Sequence, residues 1–404
     1  MALSFYTVGV GLAGFSPSIY FLIASRAVQG IGFAIIPLAL AIITETFPKE
    51  RIATAQGVVS ATFAIGAALG LTVGAYIVQN ASWQWAFHSA FILSIVLFFF
   101  IWKFLPSGSR GTGARVDYET VGLLMAGISL VLLYLTEGPY EGWYTWYDLA
   151  ALAAGLLLTA GFFVAEARRA NPLIQLSLLR IRNVLVANGV GILSGIGMFM
   201  LFFAVTFYTQ YPAPFGLGLD ILSAGLTTAP ATVVMIVAGP GLGRLTVRAG
   251  PKPTLILGGL IAIVGFLLFI FNRGTTYDVM LAMAVSLAGA VGVIIPIVNM
   301  ISVSLPRENV GTGLGLNTML RNIGGAMGPV VATTIMSTYS VTPPGSPVSF
   351  PTSTAFDYIF YFGIFSMVAV VVISLAAKNY VFGKNDPLAA QGPGLPGQPE
   401  GHSD

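Results

Sequence analysis

A 28-residue pattern occurs twice in this chain. The segment 47–57 (FPKERIATAQG) aligns with 305–315 (LPRENVGTGLG), and 66–73 (GAALGLTV) aligns with 324–331 (GGAMGPVV), at one offset of 258 positions. Over the 28 ungapped positions nine residues are identical: Pro48, Glu50, Thr54, Gly57, Ile65, Gly66, Ala68, Gly70 and Val73. A composition this biased gives about two or three by chance. The residues before each copy agree as well, with Gly30 and Ile35-Ile36-Pro37 matching Gly289 and Ile294-Ile295-Pro296 at an offset of 259. In an apolar chain such a repeat implies two similar halves. Segments 19–78 and 279–338 are then expected to be equivalent helix pairs, related by a pseudo-two-fold axis along the membrane normal.

Composition supplies the membrane. Hydrophobic residues make up 56% of the chain, charged residues 8%, and the mean hydropathy is +0.87. A soluble domain carries about 25% charged residues. There is no cysteine, so no disulfide or thiol chemistry is available. A net charge of +3, scattered along the chain, excludes nucleic acid as a partner. No Ser/His/Asp set, metal-ligand cluster or carboxylate pair stands out, so the expectation is no enzyme, no metal and no cofactor. Met1 is followed by Ala2-Leu3-Ser4-Phe5-Tyr6 without a basic stretch, so no cleavable leader is expected.

Hydropathy marks twelve candidate spans, at 1–15, 19–46, 52–78, 85–105, 119–136, 149–167, 184–210, 222–245, 253–271, 279–304, 310–338 and 355–377. The first reaches only roughly 23 Å, short of a hydrocarbon core of about 30 Å. Orientation follows from the basic residues. With the 47–52 loop in the cytoplasm, 15 of the 18 Lys and Arg residues fall on that side and only Arg273 falls outside, while Arg26 and Arg321 lie within spans. The outer side carries an aromatic belt of Trp83, Trp85, Trp143, Trp146 and neighbouring tyrosines. The segment 379–404, rich in Pro and Gly, is expected to be a disordered cytoplasmic tail, and the outer loop near 339–354 is expected to be irregular.

Four motifs resemble those of the major facilitator superfamily. Arg26-Ala27-Val28-Gln29-Gly30-Ile31-Gly32 resembles its RxxQGxG fourth helix. Gly66, Gly70 and Gly74 resemble the fifth-helix antiporter stripe GxxxGPxxGG, although Leu71 and Ala75 stand where that stripe has Pro and Gly. The run from Arg244 through Arg248 and Gly250 to Lys252 resembles the second-half copy of the family's GxLaDRxGRK loop. Arg321, Gly324, Gly325 and Gly328, followed by Pro329, resemble the RxxGGxxG eleventh helix of the 14-span drug:proton antiporters. The extra spans 119–136 and 149–167 between the halves point to the same branch. The resemblance covers about residues 1–378 and implies an all-α membrane protein with a major facilitator fold.

The repeat offset also sets the organisation. Subtracting 258 from Arg248 places the first-half loop ahead of Met1, so the first half is expected to lack about 75 residues, including two helices. The expected order is a four-span partial half (1–105), linkers with two extra spans (106–183), a six-span half (184–378) and the tail. Gln29, Gly30 and Gly32 would then face an over-wide cavity. Glu45, Asp220, Asp278 and Asp357 lie near span ends rather than mid-membrane.

Each motif residue has a plain structural role beside the functional one. Arg26 and Arg321 face a cavity or brace their helices. The glycines Gly66, Gly70, Gly74, Gly324 and Gly328 let helices approach. Arg244, Arg248 and Lys252 set topology or gate the cytoplasmic side, with Gly250 as the turn. Gln29, Asn188 and Asn299 contact ligand or act as interhelical glue. The resemblance implies a multi-pass protein of the cell membrane with a cytoplasmic C-terminus. It would export small amphipathic or anionic compounds by alternating access, driven by protons. The alternatives are a transport-inactive fragment and uptake of an organic solute.

Overall fold

The computed structural model describes residues 2–47, 72–104, 118–169 and 176–381, together with Ala55, Val59, Thr62, Gly66 and Gly70. Outside the described residues lie most of the first repeat copy (with Pro48, Glu50, Thr54, Gly57, Ile65 and Ala68), much of the expected 52–78 span, the basic residues Lys49, Arg51, Arg110 and Arg115, and the tail 382–404.

The chain folds into helices α1 (Ala2–Gly14), α2 (Ile19–Gly30), a 3-10 turn (Ile31–Ala34), α3 (Ile35–Thr46), a helical stretch 72–80, α4 (Gln84–Phe104), α5 (Tyr118–Glu141), α6 (Trp146–Arg168), α7 (Arg182–Gln210), α8 (Ile221–Ala249), α9 (Pro251–Phe271), α10 (Thr276–Ser304), α11 (Arg307–Thr338) and α12 (Ser353–Leu375). Among the described residues eight helices, α4 to α10 and α12, are long and apolar enough to cross a membrane, against twelve expected spans. The difference has local causes. α1 has 13 residues, about 20 Å of helix. The expected span 19–46 is one rod broken by the 3-10 turn, where Gly30 and Gly32 weaken helix propensity. α11 has 32 residues, yet Asn317, Arg321 and Asn322 dilute its apolar character.

Polar residues at the helix ends satisfy backbone groups that lipid leaves unpaired. The Ser18 hydroxyl accepts from the Phe21 N–H at the start of α2. Thr275 and Asp278 form a capping box on α10. Gly250, at φ +94°, ends α8, and Pro251 opens α9 at once. The segment after α11, expected to be irregular, is more regular than that. Ser340–Val341 pairs antiparallel with Phe350–Pro351. The Thr352 N–H and hydroxyl both donate to the Tyr339 carbonyl, each at 2.9 Å, and close this small hairpin.

α1 packs against α2 and α4, α5 pairs with α6, and α7 to α12 form one bundle. The continuous core of fully buried apolar side chains lies wholly between Leu178 and Tyr380, inside that bundle. Close backbone approach holds the bundle together. A Cβ on Gly258 of α9 would stand 2.4 Å from the Gly292 carbonyl carbon of α10, and one on Gly265 would stand 2.5 Å from the Ser286 nitrogen. Just beyond the C-terminus of α9, Arg273 has five partners. It pairs with Asp357 at 2.6 Å, donates to the Phe269 carbonyl and the Ser353 hydroxyl, and lies over the Tyr208 and Phe360 rings. With only 9% of its side chain exposed, this paired arginine joins one end each of α9, α12 and α7.

The crossing of α9 and α10 tolerates no side chain at its centre. Gly258→Leu is expected to lower the melting temperature of the purified protein by at least several degrees, through displaced backbone. Gly241→Leu, at a position open for 4 Å among the described residues, is expected to change it little. Equal melting temperatures for the two variants would show that the α9–α10 contact does not carry the bundle.

Candidate functional site

The α2 face named from the sequence is a local brace. Arg26 is exposed and its Nη1 donates to Gln29 Oε1 at 2.5 Å, one helical turn on, while its guanidinium lies 5.8 Å from the centre of the Phe87 ring of α4. Gln29 is only 7% exposed, because Gly9 of α1 sits directly against its backbone. Gly32 is buried under Tyr6 of α1. The expectation that Gln29 and Gly32 face an over-wide cavity is therefore corrected: α1 covers both, while at Gly30 no atom of the described residues comes within 4 Å of a Cβ position.

Asn188 of α7 is 3% exposed and accepts from Asn317 Nδ2 of α11 at 3.2 Å, while the same amide donates to the Ala187 carbonyl at 2.9 Å. Asn299 lies near the C-terminal end of α10 and accepts from the Tyr380 hydroxyl at 3.2 Å. Arg321 is half-buried on α11, and its carbonyl lies against Gly195 of α7. Gly324 and Gly328 continue that contact, packing on the Ile192 and Ile196 carbonyls, and Pro329 follows inside the helix. Around Gly66, Gly70 and Gly74 no atom of the described residues comes within 4 Å of a Cβ position. At the glycines the two repeat copies thus differ: α7 packs on Gly324 and Gly328, whereas among the described residues the first-copy glycines meet no atom and Val59 of that copy packs against the main core.

Between the 3-10 turn, α5 and α11 lies a cavity of about 520 Å³. Its walls are Phe33 and Ala34 from the 3-10 turn, one face of α5 (Leu124, Met125, Ile128, Ser129 and Leu132), and α11 from Gly315 to Ala326. Among the described residues the lining is apolar apart from Ser129, Thr318 and Asn322, and it carries no charged side chain. Arg26, Gln29, Gly30, Asn188, Asn299 and Arg321 do not line it. The α5 wall escaped the sequence reading, which set this helix outside the halves. Its positions at i, i+4 and i+8 do mark one helical face.

At one end of the bundle Gly250 forms the turn between α8 and α9. Arg244 and Arg248 are exposed, and Lys252 Nζ donates to the Leu375 carbonyl at the end of α12 at 2.7 Å. At the opposite end the first turn of α8 meets the helical stretch 72–80. There the Leu222 N–H donates to Gln79 Oε1. Hydrogen bonds from Ser223 and then Gln79 hold the Asp220 carboxyl below the usual carboxylate range. The acidic residues flagged near span ends are thus occupied structurally: Asp220 at this contact, Asp278 in a cap, Asp357 on Arg273. The Glu45 side chain lies outside the described residues.

Eight long apolar helices and an apolar cavity among the described residues define a multi-pass α-helical membrane protein. The profile of the Major Facilitator Superfamily matches residues 1–329, and the chain belongs to that family. It is 27% identical over 335 residues to the multidrug transporter protein MdtP of Bacillus subtilis (strain 168), covering 81% of this chain and 61% of MdtP. It is 26% identical over 339 residues to the lincomycin resistance protein LmrB of Listeria monocytogenes, covering 83% of this chain and 71% of LmrB. A solved POT family transporter in complex with a thioalcohol-conjugated peptide has a TM-score of 0.61 at 14% identity, covering 93% of this chain and 80% of that one, and shares the fold.

The Asn188–Asn317 contact generates a stability test. Asn317→Leu leaves a buried amide unpaired and is expected to destabilise the protein by about 1–3 kcal/mol. Adding Asn188→Leu removes the orphaned amide and is expected to recover part of that loss, read as thermal unfolding in a double-mutant cycle. Strictly additive losses would show that the two amides do not interact.

Proposed function

We propose that this protein is a secondary active transporter that exports lipophilic or amphipathic compounds by alternating access, with protons moving inward as the driving ion. The observation that carries the reading is the cavity of about 520 Å³ between α5, the 3-10 turn and α11. Its size suits a drug-sized molecule. Its apolar walls suit lipophilic ligands, Ser129, Thr318 and Asn322 offer hydrogen bonds, and Met125 and Met319 supply side chains that adapt to different shapes. Relatives named as multidrug and lincomycin resistance proteins support the direction of transport.

The finer proposals follow from the motifs. The chain is a member of the 14-span branch, organised as 1–105, 106–183 and 184–378, and two further helices precede α1 in the functional protein. Reading the DNA upstream for about 75 in-frame codons with two apolar spans tests that organisation. Arg26 and Gln29 serve transport from the first half, and Asn188, Asn299 and Arg321 from the second. Arg244, Arg248 and Lys252 gate the cytoplasmic side. The C-terminus is cytoplasmic, so a reporter after Lys384 is expected to read inside and one in 340–352 outside; reversed signals overturn the orientation.

Transport itself is tested with a fluorescent lipophilic dye in cells carrying the protein. Efflux is expected to exceed the vector control and to collapse with a protonophore. Ala326→Phe and Ser129→Phe, which fill the cavity from opposite walls, are each expected to lower efflux about tenfold at unchanged membrane abundance. Arg26→Ala is expected to abolish efflux, and Arg26→Lys to restore it only in part, because lysine lacks the planar fork. Gradient-independent efflux overturns the proton coupling. Full efflux from both cavity-filling variants removes the cavity from the mechanism.

A further inference from the structure

The residues after α12 were expected to open a disordered tail at 379, yet the chain stays ordered to Tyr380 and is gripped from three sides. Where it leaves α12, Arg182 Nε of α7 donates to the Ala376 carbonyl. One residue on, the Asn183 side chain behaves like a strand neighbour. Its Oδ1 accepts from the Lys378 N–H at 2.9 Å and its Nδ2 donates to the Lys378 carbonyl at 3.2 Å. Asn379 does the same in the other direction. Its Nδ2 donates to the Ala249 carbonyl at 2.9 Å and its Oδ1 accepts from the Lys252 N–H at 3.3 Å, so one amide spans the Gly250 turn. Tyr380, 4% exposed, then reaches Asn299 of α10 with its hydroxyl.

An amide side chain carries a donor and an acceptor in one plane, which lets it stand in for a peptide group. At the α8–α9 junction this matters, because Gly250 at φ +94° ends the α8 ladder and leaves its last carbonyls seeking partners. A Cβ on Gly250 would sit 2.1 Å from Asn379 Oδ1 and 2.5 Å from the Tyr380 carbonyl, so the strap lies directly on the turn. The turn carries Arg248 and Lys252, and Lys252 adds its own bond to the Leu375 carbonyl.

We propose that residues 376–380 form a strap that fixes the position of the cytoplasmic α8–α9 turn, with Asn379 as the positioning residue, and that the hold of the strap on this turn sets the rate of transport without touching the ligand. The inference rests on the assignment of Arg248 and Lys252 to the inner gate. Arg182 and Asn183 anchor the strap to α7, the helix that also packs against α11 across the bundle, so the turn is referenced to the helix beside the cavity wall.

The full-length protein in lipid nanodiscs provides a test that does not depend on transport. The chain has no cysteine, so Ala377→Cys, at a position 4% exposed, gives a single reporter of strap release, and trypsin cleavage after Arg248 reports on the turn. Asn379→Ala is expected to raise maleimide labelling of the reporter and tryptic cleavage at Arg248 about tenfold each. Asn379→Asp, which keeps the acceptor and loses the donor, is expected to fall between. In dye efflux, Asn379→Ala is expected to change the maximal rate severalfold while the half-saturating dye concentration stays at the wild-type value. Labelling and cleavage at wild-type levels overturn the strap. A released turn with an unchanged efflux rate overturns its control of transport. If the wild-type protein exports no dye, the proposed function fails, and labelling and cleavage alone decide whether the strap holds the turn.

Discussion

Helices in a bilayer gain nothing from excluding lipid, whose tails are as apolar as their own side chains, so they must meet by close van der Waals contact and by satisfying buried polar groups. This constraint shapes the bundle α7–α12. Gly258 meets Gly292, Gly265 meets Ser286, and Gly324 and Gly328 meet the carbonyls of α7. At each of these positions the missing Cβ is the reason two backbones can touch. Larger side chains then fill the space on either side of the crossings, and the continuous core between Leu178 and Tyr380 follows from them.

The same constraint governs the polar groups. Arg273 is buried with a carboxylate, two oxygen acceptors and two ring faces around it, which is how a charge persists in an apolar bundle. Asn188 and Asn317 hold α7 to α11 through one amide contact. Asn183 and Asn379 use amides in a third way, replacing backbone partners where α8 and α12 end. The cavity, by contrast, presents uncharged groups. On the proposed export of lipophilic compounds, uncharged walls spare each ligand a desolvation cost.

Much of this was legible in the sequence because it depends on local pattern. The repeat, the apolar spans and the Gly250 turn are properties of short segments, and Gly324 and Gly328 could be read as packing glycines from their spacing alone. The brace between Arg26 and Gln29 is legible for the same reason, since residues three apart on a helix are neighbours. The contacts of Gln29 and Gly32 with α1 were not, because one short helix had to lie across another. Asn379 was illegible for a further reason. It sits at the edge of a Pro- and Gly-rich segment, and its order comes from partners 127 and 130 positions away.

By itself, then, the sequence determined the membrane class of the protein, most of its apolar helices and the glycines able to let helices touch. Hydropathy, period and backbone freedom act within a few turns of chain. The tertiary structure alone decided that α7 packs on the glycines of the second repeat copy, that α5 walls the cavity, and that the residues after α12 lie on the Gly250 turn. Those outcomes depend on which distant surfaces meet, and in a chain where nearly every helix face is apolar, composition does not distinguish one partner from another.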